Sequence, residues 1–505
     1  MPKYRDWTGQ LIDANPDSSS KRTKCRTIKS VGPLQCGERR RRIYAGEVDV
    51  VYGPKGSGKS AIYSLLSSRS GELFDRQVIV VSAENPQGAP AFRDLVEDPP
   101  TGESEFRNLW KLYFVILLAQ AARDYGISPE ISGQAIKQLT EAGLLEKGRS
   151  LSAYVRSALD YVRRIVRAPR SVETEIRLDP VSGAPTAVVP KITFREPSVD
   201  ERSAGLIAVD DLLGLLNEAL NQSGYHIWLL LDRLDVAFAE ASGLERNALR
   251  ALFRVYSDLR AFNRISLKIF LRTDLWRRIL DEGFREASHI ASRQETISWD
   301  ERSLLNLVVR RALYNEALRN YYGITASGVL QEGTKQEELF YRIFPDQVDR
   351  GSRRPDTFSW MLDRTCDSTG QTAPRELIHL LTVARKEQLK ALDLGSEPPD
   401  GENLFSRGPL KDALPEVSRV RFQQTLCAEF PDLRPCMQQL EGEKTEQTPN
   451  SLAKIWRVNP QEALVMANRL VEIGFFQPRG TKEDPRFWVP FLYRDALKMV
   501  QGAAQ

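Results

Sequence analysis

The chain has 505 residues, of which 41% are hydrophobic and 27% are charged, a composition typical of a folded soluble protein. Its length exceeds what a single hydrophobic core supports, so we expect two to four domains. The sequence contains no apolar run of about 18 residues and no signal-peptide core after Met1, which argues against membrane spanning or secretion and favours the cytoplasm.

Charge is nearly balanced, because 71 Lys and Arg residues face 67 Asp and Glu residues for a net charge of +4. Any affinity for nucleic acid must therefore come from a local patch. The five cysteines are scattered, without C-x-x-C spacing or a nearby histidine cluster. We expect reduced thiols and no metal site built from cysteine.

Residues 1–42 are polar and basic and predict a flexible arm. The arm ends in four consecutive arginines, Arg39, Arg40, Arg41 and Arg42. Such a run is either a solvated linker or a patch that contacts phosphate or another subunit, and the sequence leaves both interpretations open.

A glycine-rich motif follows the apolar segment 48–52 and leads into a helical segment. The motif and the residue after it are Gly53, Pro54, Lys55, Gly56, Ser57, Gly58, Lys59, Ser60 and Ala61. The spacing G-x-x-x-x-G-K-S between a strand and a helix predicts a phosphate-binding loop (P-loop). Its N–H groups would converge on phosphate oxygens, Lys59 would neutralise the β and γ phosphates, and the Ser60 hydroxyl would bind Mg²⁺.

Two further segments predict buried strands whose ends carry carboxylates. Residues 78–81 form a short β-branched run that leads to Glu84. Residues 86–205 predict helices and a hairpin, read as an insertion packed on the nucleotide-binding core. Residues 227–231 are apolar and end at Asp232, the Walker B pattern, in which Asp232 would hold Mg²⁺.

Hydrolysis also requires a group that orients the attacking water. Arg233 occupies the position directly after Asp232, where many P-loop ATPases have glutamate. We favour Asp235 for this role and keep Glu84 as the alternative. The sequence therefore supports nucleotide binding more firmly than rapid hydrolysis.

The next strand, 267–271, ends where a γ-phosphate sensor would lie, and either Thr273 or Arg272 fits that role. Arg285 and Arg293 precede the predicted last strand of this core. They are candidate arginine fingers that would act on a neighbour's nucleotide, although most arginines near a strand are only solvated.

Residues 301–394 predict a helical lid, after a core that we place at 43–300. Pro374 suits the first turn of a helix, which puts Arg375 at a helix start from which it could reach the nucleotide. Beyond a turn-rich linker, residues 402–505 have a winged-helix pattern. Its second helix, 459–472, carries two acids and one base, which favours packing on protein over reading of DNA.

Taken in order, several motifs resemble those of prokaryotic P-loop ATPases of the STAND, KAP and AAA+ neighbourhood, including origin-recognition-type ATPases with a C-terminal winged helix. The motifs are 53–61, 232–235, 271–274, 298–300 before a helix with Arg310 and Arg311, and 374–377. The resemblance implies an ASCE/AAA+-like α/β fold and an ATP-driven switch with Arg375 as sensor 2. It also implies homo-oligomers, a separately encoded effector and a role in antiphage defence.

The sequence leaves two functions open. One is an ATPase that uses ATP and Mg²⁺ to control an effector protein or its own assembly. The other is a DNA-engaging ATPase of replication-initiator or transposition-helper type, which would use residues 39–42 and the winged helix. No [NT]-K-x-D motif follows the Walker B strand, which favours ATP over GTP.

Overall fold

The computed structural model describes residues 41–85, 91–92, 95, 99–100, 102–146, 148–167, 176–178, 185–188, 192–203, 205–234, 242–281, 283–284 and 290–504. The predictions for Arg39, Arg40, Asp235 and Arg285 lie outside these residues. The chain divides into two compact units. The first comprises residues 41–54 and 58–297, and the second comprises 298–504 together with Lys55–Ser57.

The first unit is an α/β structure built on a parallel sheet. Its strands are β1 (Val50–Gly53), β2 (Val78–Ser82), β3 (Ile176–Leu178), β4 (Pro185–Val188), β5 (Ile192–Thr193), β6 (Ile207–Ala208), β7 (His226–Leu231), β8 (Ile265–Arg272) and β9 (Gln294–Thr296). Five of them form one sheet in the order β2-β7-β8-β1-β9, with every neighbouring pair parallel. The parallel sheet with a P-loop after β1 confirms the predicted α/β P-loop NTPase fold class.

Helices cover the sheet and fill the long connection between β2 and β7. They are α1 (Lys59–Ser68), α2 (Ser70–Phe74), α3 (Glu103–Asp124), α4 (Pro129–Glu141), α5 (Leu151–Arg167), α6 (Val199–Ser203), α7 (Val209–Ser223), α8 (Ser242–Leu259) and α9 (Thr273–Asp281). A 3-10 turn, Ala291–Arg293, leads into β9. β3 and β4 pair antiparallel, and β5 pairs with β6.

The core of this unit explains why β7 and β8 are nearly continuous apolar runs. Both strands are buried on their two faces, as inner strands of a parallel sheet are. Helix α3 is buried along most of its length, and its Trp110 and Phe114 rings stack at 5.6 Å. The connection from β2 to β7 thus shares one hydrophobic core with the sheet.

The second unit is mainly helical. Its helices are α10 (Glu301–Tyr314), α11 (Glu316–Tyr322), α12 (Ala326–Leu330), α13 (Gly333–Ile343), α14 (Thr357–Thr365), α15 (Pro374–Asp393), α16 (Arg407–Asp412), α17 (Leu414–Val420), α18 (Cys427–Glu429), α19 (Arg434–Gln438), α20 (Pro449–Trp456), α21 (Pro460–Glu472) and α22 (Phe491–Arg494). A π-helical turn, Arg421–Leu426, joins α17 to α18.

A four-stranded sheet completes this unit. Its strands are β10 (Lys444–Gln447), β11 (Gln477–Gly480), β12 (Pro485–Trp488) and β13 (Val500–Ala503), in the order β11-β12-β10-β13. Helices α20 and α21 precede the β11–β12 hairpin, and Asn459 caps α21 by accepting from the Glu462 N–H. One hydrophobic core runs from Leu304 to Leu497, so the predicted lid and the C-terminal elements pack as a single body.

Among the described helices, none combines the length and the apolar character that crossing a bilayer requires.

Candidate nucleotide site

The P-loop joins β1 to α1 in a conformation that depends on two of its glycines. Gly56 and Gly58 have φ angles of +81° and +104°, in the region that residues with a side chain rarely adopt. Gly58 is the N-cap of α1, so the loop runs into a helix N-terminus, which favours an anion. The Lys59 amine donates to the carbonyl oxygens of Gly53 (2.8 Å) and Pro54 (2.9 Å) and so lies across the loop.

Two carboxylates end neighbouring strands at the edge of the sheet from which the P-loop emerges. β2 and β7 pair in register up to Ser82 and Leu230, and two more residues along each strand lead to Glu84 and Asp232. Both side chains are buried, with exposed fractions of 1% for Glu84 and 5% for Asp232. The two predicted carboxylates therefore end adjacent strands at the same level.

A magnesium ion and a phosphate fit the residues at this edge. Ser60, exposed at the start of α1, and Asp232 offer a hydroxyl and a carboxylate, which are oxygen ligands of the kind that Mg²⁺ prefers. These two residues would hold the ion, whose charge would balance that of a bound triphosphate. The roles of the P-loop residues and of Asp232 stay predictions.

Glu84 is held through one carboxylate oxygen only. Its Oε1 accepts from the N–H groups of Asn85 (2.6 Å) and Ala91 (2.7 Å), whereas its buried Oε2 has no hydrogen-bond partner among the described residues. Burial raises the pKa of Glu84 to about 7, partly offset by those two N–H groups and by the charge of Arg233. A carboxyl group with a pKa near neutrality and a free oxygen suits a general base.

Two buried tyrosines fix the strand end that carries Glu84. The Tyr63 hydroxyl of α1 donates to the Glu84 carbonyl oxygen, and the Tyr113 hydroxyl of α3 donates to the Ala83 carbonyl oxygen, both at 2.9 Å. Sequence reasoning missed both residues, because a tyrosine inside an apolar helix gives no sign of its distant partner. They hold the backbone at Glu84 from two different helices.

The residue after Asp232 has an unusual backbone. Arg233 has a φ of +60°, which costs of the order of 1 kcal/mol for a residue with a side chain. Its guanidinium donates to the Asn85 carbonyl oxygen at 3.4 Å, next to Glu84. Arg233 thus links the ends of β7 and β2.

The two candidate γ-phosphate sensors differ in their contacts. Arg272 forms a two-point ion pair with Asp274, with both N···O distances at 2.9 Å. The Thr273 Oγ1 is buried and has no hydrogen-bond partner among the described residues. β8 pairs with β1 so that Arg272 lies opposite Gly53, the first residue of the P-loop. Of the two, Thr273 is the one with an uncommitted polar atom.

The opposite, amino edge of the sheet holds a saturated charge cluster. Asp49 accepts from Lys268 (2.8 Å), Tyr256 (3.0 Å) and Arg293 (3.2 Å to Oδ1). Burial acts to raise the pKa of Asp49, but Arg293 and Lys268 outweigh it, so the pKa lies below its usual value. The Lys268 amine also donates to the Val48 carbonyl oxygen at 2.7 Å. Arg293, a candidate arginine finger, is bound here within its own chain, and its finger role stays a prediction.

The basic run before β1 is also partly neutralised. Arg42 donates to Glu295 at 2.6 Å and lies 3.4 Å from a carboxylate oxygen of Glu47. This arginine is therefore engaged by acids of its own chain.

Three residues of the P-loop, Lys55–Ser57, belong to the second unit by their contacts. The Lys55 amine forms an ion pair with Glu429. The Trp299 indole N–H donates to the Ser57 carbonyl oxygen at 2.9 Å. Both partners lie far along the chain, so sequence patterns could not indicate them.

Arg375 packs against the loop at Gly56. A Cβ built on Gly56 would lie 3.2 Å from the Arg375 Cβ, so only glycine fits here without a shift. The Arg375 guanidinium donates to Glu376 at 2.9 Å, and Glu376 also accepts from Arg421 at 3.0 Å. The sensor 2 role of Arg375 stays a prediction.

The second unit also contains an arginine–aromatic ladder that the sequence analysis did not single out. The ladder consists of Trp360, Arg364, Phe491, Arg494, Trp488 and Arg479 in spatial order. Successive guanidinium–ring distances are 5.4, 3.6, 4.0, 4.4 and 4.0 Å. The alternation of arginines and aromatic residues over 479–494 is the sequence feature that could have indicated this ladder.

Comparison with known proteins gives little beyond this geometry. No protein-family profile and no curated protein matches the sequence. Among solved structures, the chain is similar to the Aeropyrum pernix ORC2 protein in its ADPNP–ADP complexes, with a TM-score of 0.37, 12% identity and coverage of 93% of this chain and 96% of that chain. The ADP form of the same protein gives a TM-score of 0.31, 13% identity and coverage of 95% and 94%. Because both TM-scores are below 0.5, the fold class rests on the strand order and the P-loop.

Proposed function

We propose that this chain is a P-loop ATPase in which Glu84 is the general base. The observation that carries the proposal is the buried Oε2 of Glu84, which has no partner among the described residues and belongs to a carboxyl group with a pKa of about 7. Such a group is neutral or charged in comparable amounts at physiological pH and can accept a proton efficiently.

Each residue at the carboxyl edge then has a defined task. Bound ATP with Mg²⁺ supplies the γ-phosphoryl group and the charge that balances it. Lys59 and the loop N–H groups hold the phosphates, and Ser60 and Asp232 hold the ion. Glu84 orients a water molecule through Oε2 and takes its proton, while Thr273 donates a hydrogen bond to phosphate. The products are ADP and phosphate.

ATP binding and turnover by four variants test this proposal. Lys59→Ala should abolish tight ATP binding because it removes the phosphate-neutralising amine. Glu84→Gln should bind ATP normally but lower turnover by about a hundredfold or more, since it removes the base. Glu72→Gln, at an exposed glutamate on α2, is the matched control and should behave as the parent chain.

The fourth variant separates the two carboxylates that sequence analysis proposed. If Asp235→Asn abolishes turnover and Glu84→Gln keeps it within twofold, Asp235 is the base and the assignment of Glu84 is wrong. ATP binding that survives Lys59→Ala would contradict the nucleotide site itself.

The arginine–aromatic ladder favours nucleic acid as the target of this ATPase over an effector protein. Arg364, Arg479 and Arg494 form no ion pair with a described carboxylate, although Arg494 is only 7% exposed. Burial and the charges of Arg364 and Arg479 lower the pKa of Arg494 to about 10. Arg364 and Arg479, interleaved with aromatic faces, suit a phosphate backbone and stacked bases, whereas Arg494 is buried and donates to Val489 and Gln501.

Helix α21, which follows α20, is poorly suited to sequence-specific recognition of DNA. The exposed side chains of α21 include Gln461, Glu462, Val465, Asn468, Arg469 and Glu472. Arg469, the one base among them, already pairs with Asp432 at 2.7 Å, so the helix presents no net positive charge to a DNA groove. We therefore propose backbone contacts, made by the ladder, rather than base recognition by α21; the sequence expectation for α21 itself was packing on protein.

Binding of a short DNA duplex at low and moderate salt tests this second proposal. Arg479→Gln should weaken binding several-fold and lower the salt slope by about one. The control is Arg486→Gln, on the same hairpin, because Arg486 already pairs with Glu446 (3.2 Å) and Asp484 (3.0 Å). Absence of DNA binding at low salt would refute a nucleic-acid target and leave control of a protein effector.

Control of a separately encoded effector, homo-oligomer formation and a role in antiphage defence rest on the family resemblance alone. The size of the particle in solution with and without ATP would test the oligomer. A single mass at all ATP concentrations would argue against ATP-driven assembly.

A further inference from the structure

The backbone hydrogen bonds of the parallel sheet extend to the residue directly before the proposed base. The Ala83 N–H donates to the Leu230 carbonyl oxygen of β7 at 2.9 Å. The carbonyl oxygens of Ala83 and Glu84 accept instead from side chains, namely the hydroxyls of Tyr113 and Tyr63, at 2.9 Å each. Tyrosines therefore take over from the sheet in holding the segment that carries Glu84.

The long connection between β2 and β7 holds the carboxylate of Glu84 as well as its backbone. The Ala91 N–H donates to Glu84 Oε1 at 2.7 Å. The next residue, Phe92, is fully buried, and its ring centroid lies 5.4 Å from that of Tyr113 in an edge-on contact and 4.6 Å from that of Trp110. Because Phe92 follows Ala91 directly, its packing on α3 fixes the N–H group that faces the carboxylate.

Helix α3 is a firm support for these contacts. The Trp110 indole N–H donates to the Ala248 carbonyl oxygen of α8 at 2.9 Å, which ties α3 to a second helix on the sheet. Burial raises the pKa of Tyr113 well above its ordinary value, and the charge of Glu84 adds to the shift. The Tyr113 hydroxyl thus keeps its proton and remains a hydrogen-bond donor at any pH at which the chain is folded.

We propose that Tyr113 and Phe92 are positioning residues for ATP hydrolysis, which place the Glu84 carboxylate against the attacking water. The inference rests on the proposed role of Glu84 as the base. Both residues lie outside the P-loop and the positions assigned to Mg²⁺, so they act on turnover and not on ATP binding. A displacement of about 1 Å at a reacting group costs up to about a hundredfold in rate, so the loss of one of these contacts is sufficient for a measurable effect.

Steady-state turnover and ATP titration of the full chain test this role. Tyr113→Phe should lower kcat by about tenfold and keep the Kd for ATP within about twofold of the parent. The matched control is Tyr154→Phe on α5, because Tyr154 is also fully buried and its hydroxyl donates to the Glu146 carbonyl oxygen at 2.7 Å. Both variants should lower the urea midpoint, but only Tyr113→Phe should lower kcat. Equal kcat values for the two folded variants would overturn the proposal.

A double-mutant cycle shows whether Tyr113 acts through Glu84. In the Glu84→Gln background, Tyr113→Phe should change the remaining single-turnover rate by less than about twofold, because the group that it positions is already gone. A further tenfold loss in that background would show that Tyr113 acts independently of Glu84 and would refute the positioning role. Phe92→Leu, which weakens the packing beside the Ala91 N–H, should show the same dependence on Glu84 and tests the proposal even if Tyr113→Phe does not fold.

The same variants separate a failure of this inference from a failure of the proposed function. If Glu84→Gln abolishes turnover and a folded Tyr113→Phe chain keeps it, Glu84 is the base and only the positioning role is wrong. If Glu84→Gln itself keeps turnover, the base is another group and both proposals are wrong.

Discussion

The two edges of the five-stranded sheet differ in whether their buried polar groups have partners. At the amino edge, Asp49 accepts hydrogen bonds from Lys268, Tyr256 and Arg293, so its charge is fully compensated. At the carboxyl edge, Glu84 Oε2 and Thr273 Oγ1 are buried without partners among the described residues. An unpartnered buried polar atom costs about 1–3 kcal/mol, so a sequence selected only for stability would not keep two of them.

We interpret this difference as a division of roles between the two edges of the sheet. The amino-edge cluster ties β1, β8 and the turn before β9 together, and its groups have no capacity left for a ligand. The carboxyl edge keeps oxygen atoms available beside the P-loop. We infer that the first edge stabilises the fold and that the second binds and activates ligand, and three measurements test the comparison.

The largest expected effect is at the amino edge. Asp49→Asn should lower the free energy of unfolding by about 3–5 kcal/mol, because it leaves Lys268 buried without a counter-charge. Urea denaturation of the nucleotide-free chain measures the change. Asp210→Asn is the control, since Asp210 is exposed in its 2.9 Å ion pair with Lys111, and it should cost less than about 1 kcal/mol. Equal costs for the two variants would contradict a structural role for the amino edge.

The second prediction concerns pH and the carboxyl edge. Between pH 4.5 and about 7 the folded chain keeps a proton on Glu84 that the unfolded chain has lost. The folded state then binds more protons, so stability falls as pH rises through this window, by about 3 kcal/mol in total, and levels off above it.

Glu84→Gln isolates this effect, because glutamine does not titrate. Unfolding of the metal-free and nucleotide-free chain should show that the parent loses stability relative to Glu84→Gln as pH rises from 4.5 to 7. A constant difference between the two across this range would refute the raised pKa of Glu84.

Local patterns predicted the carboxyl edge better than the amino edge. The P-loop, Asp232, Glu84 and Thr273 all follow short apolar runs, and parallel strands bring such positions to one edge. The sequence could not indicate that Arg293 pairs with Asp49, because Asp49 lies more than 200 residues earlier and gives no local signal. The support of Glu84 by Tyr113 was invisible for the same reason.

The second unit shows the same limit. The starts of α15 and α21 can be predicted from the local sequence, because each helix has a proline, Pro374 or Pro460, in its first turn. The arginine–aromatic ladder is formed by side chains from separate elements, so only packing brings them together. Asp235 lies outside the described residues, and its role stays a prediction.

The smallest expected effect is that of Thr273→Val. It is the most specific test of the comparison, because this substitution should maintain or raise stability while it lowers ATP turnover. Thr273→Val removes an unpartnered hydroxyl at nearly constant volume, so stability should stay level or rise by up to about 1 kcal/mol. ATP turnover should nevertheless fall by about tenfold, since the proposed hydrogen bond from Thr273 to phosphate would be lost.

The matched control is another buried threonine whose hydroxyl is in use. The Thr357 hydroxyl donates to the Pro345 carbonyl oxygen, so Thr357→Val should cost about 1–2 kcal/mol and leave turnover of the folded chain unchanged. If Thr273→Val is as destabilising as Thr357→Val, the Thr273 hydroxyl has a structural partner and the carboxyl edge is as saturated as the amino edge. Opposite outcomes for the two threonines would show that the unpartnered atoms at the carboxyl edge are kept for the ligand.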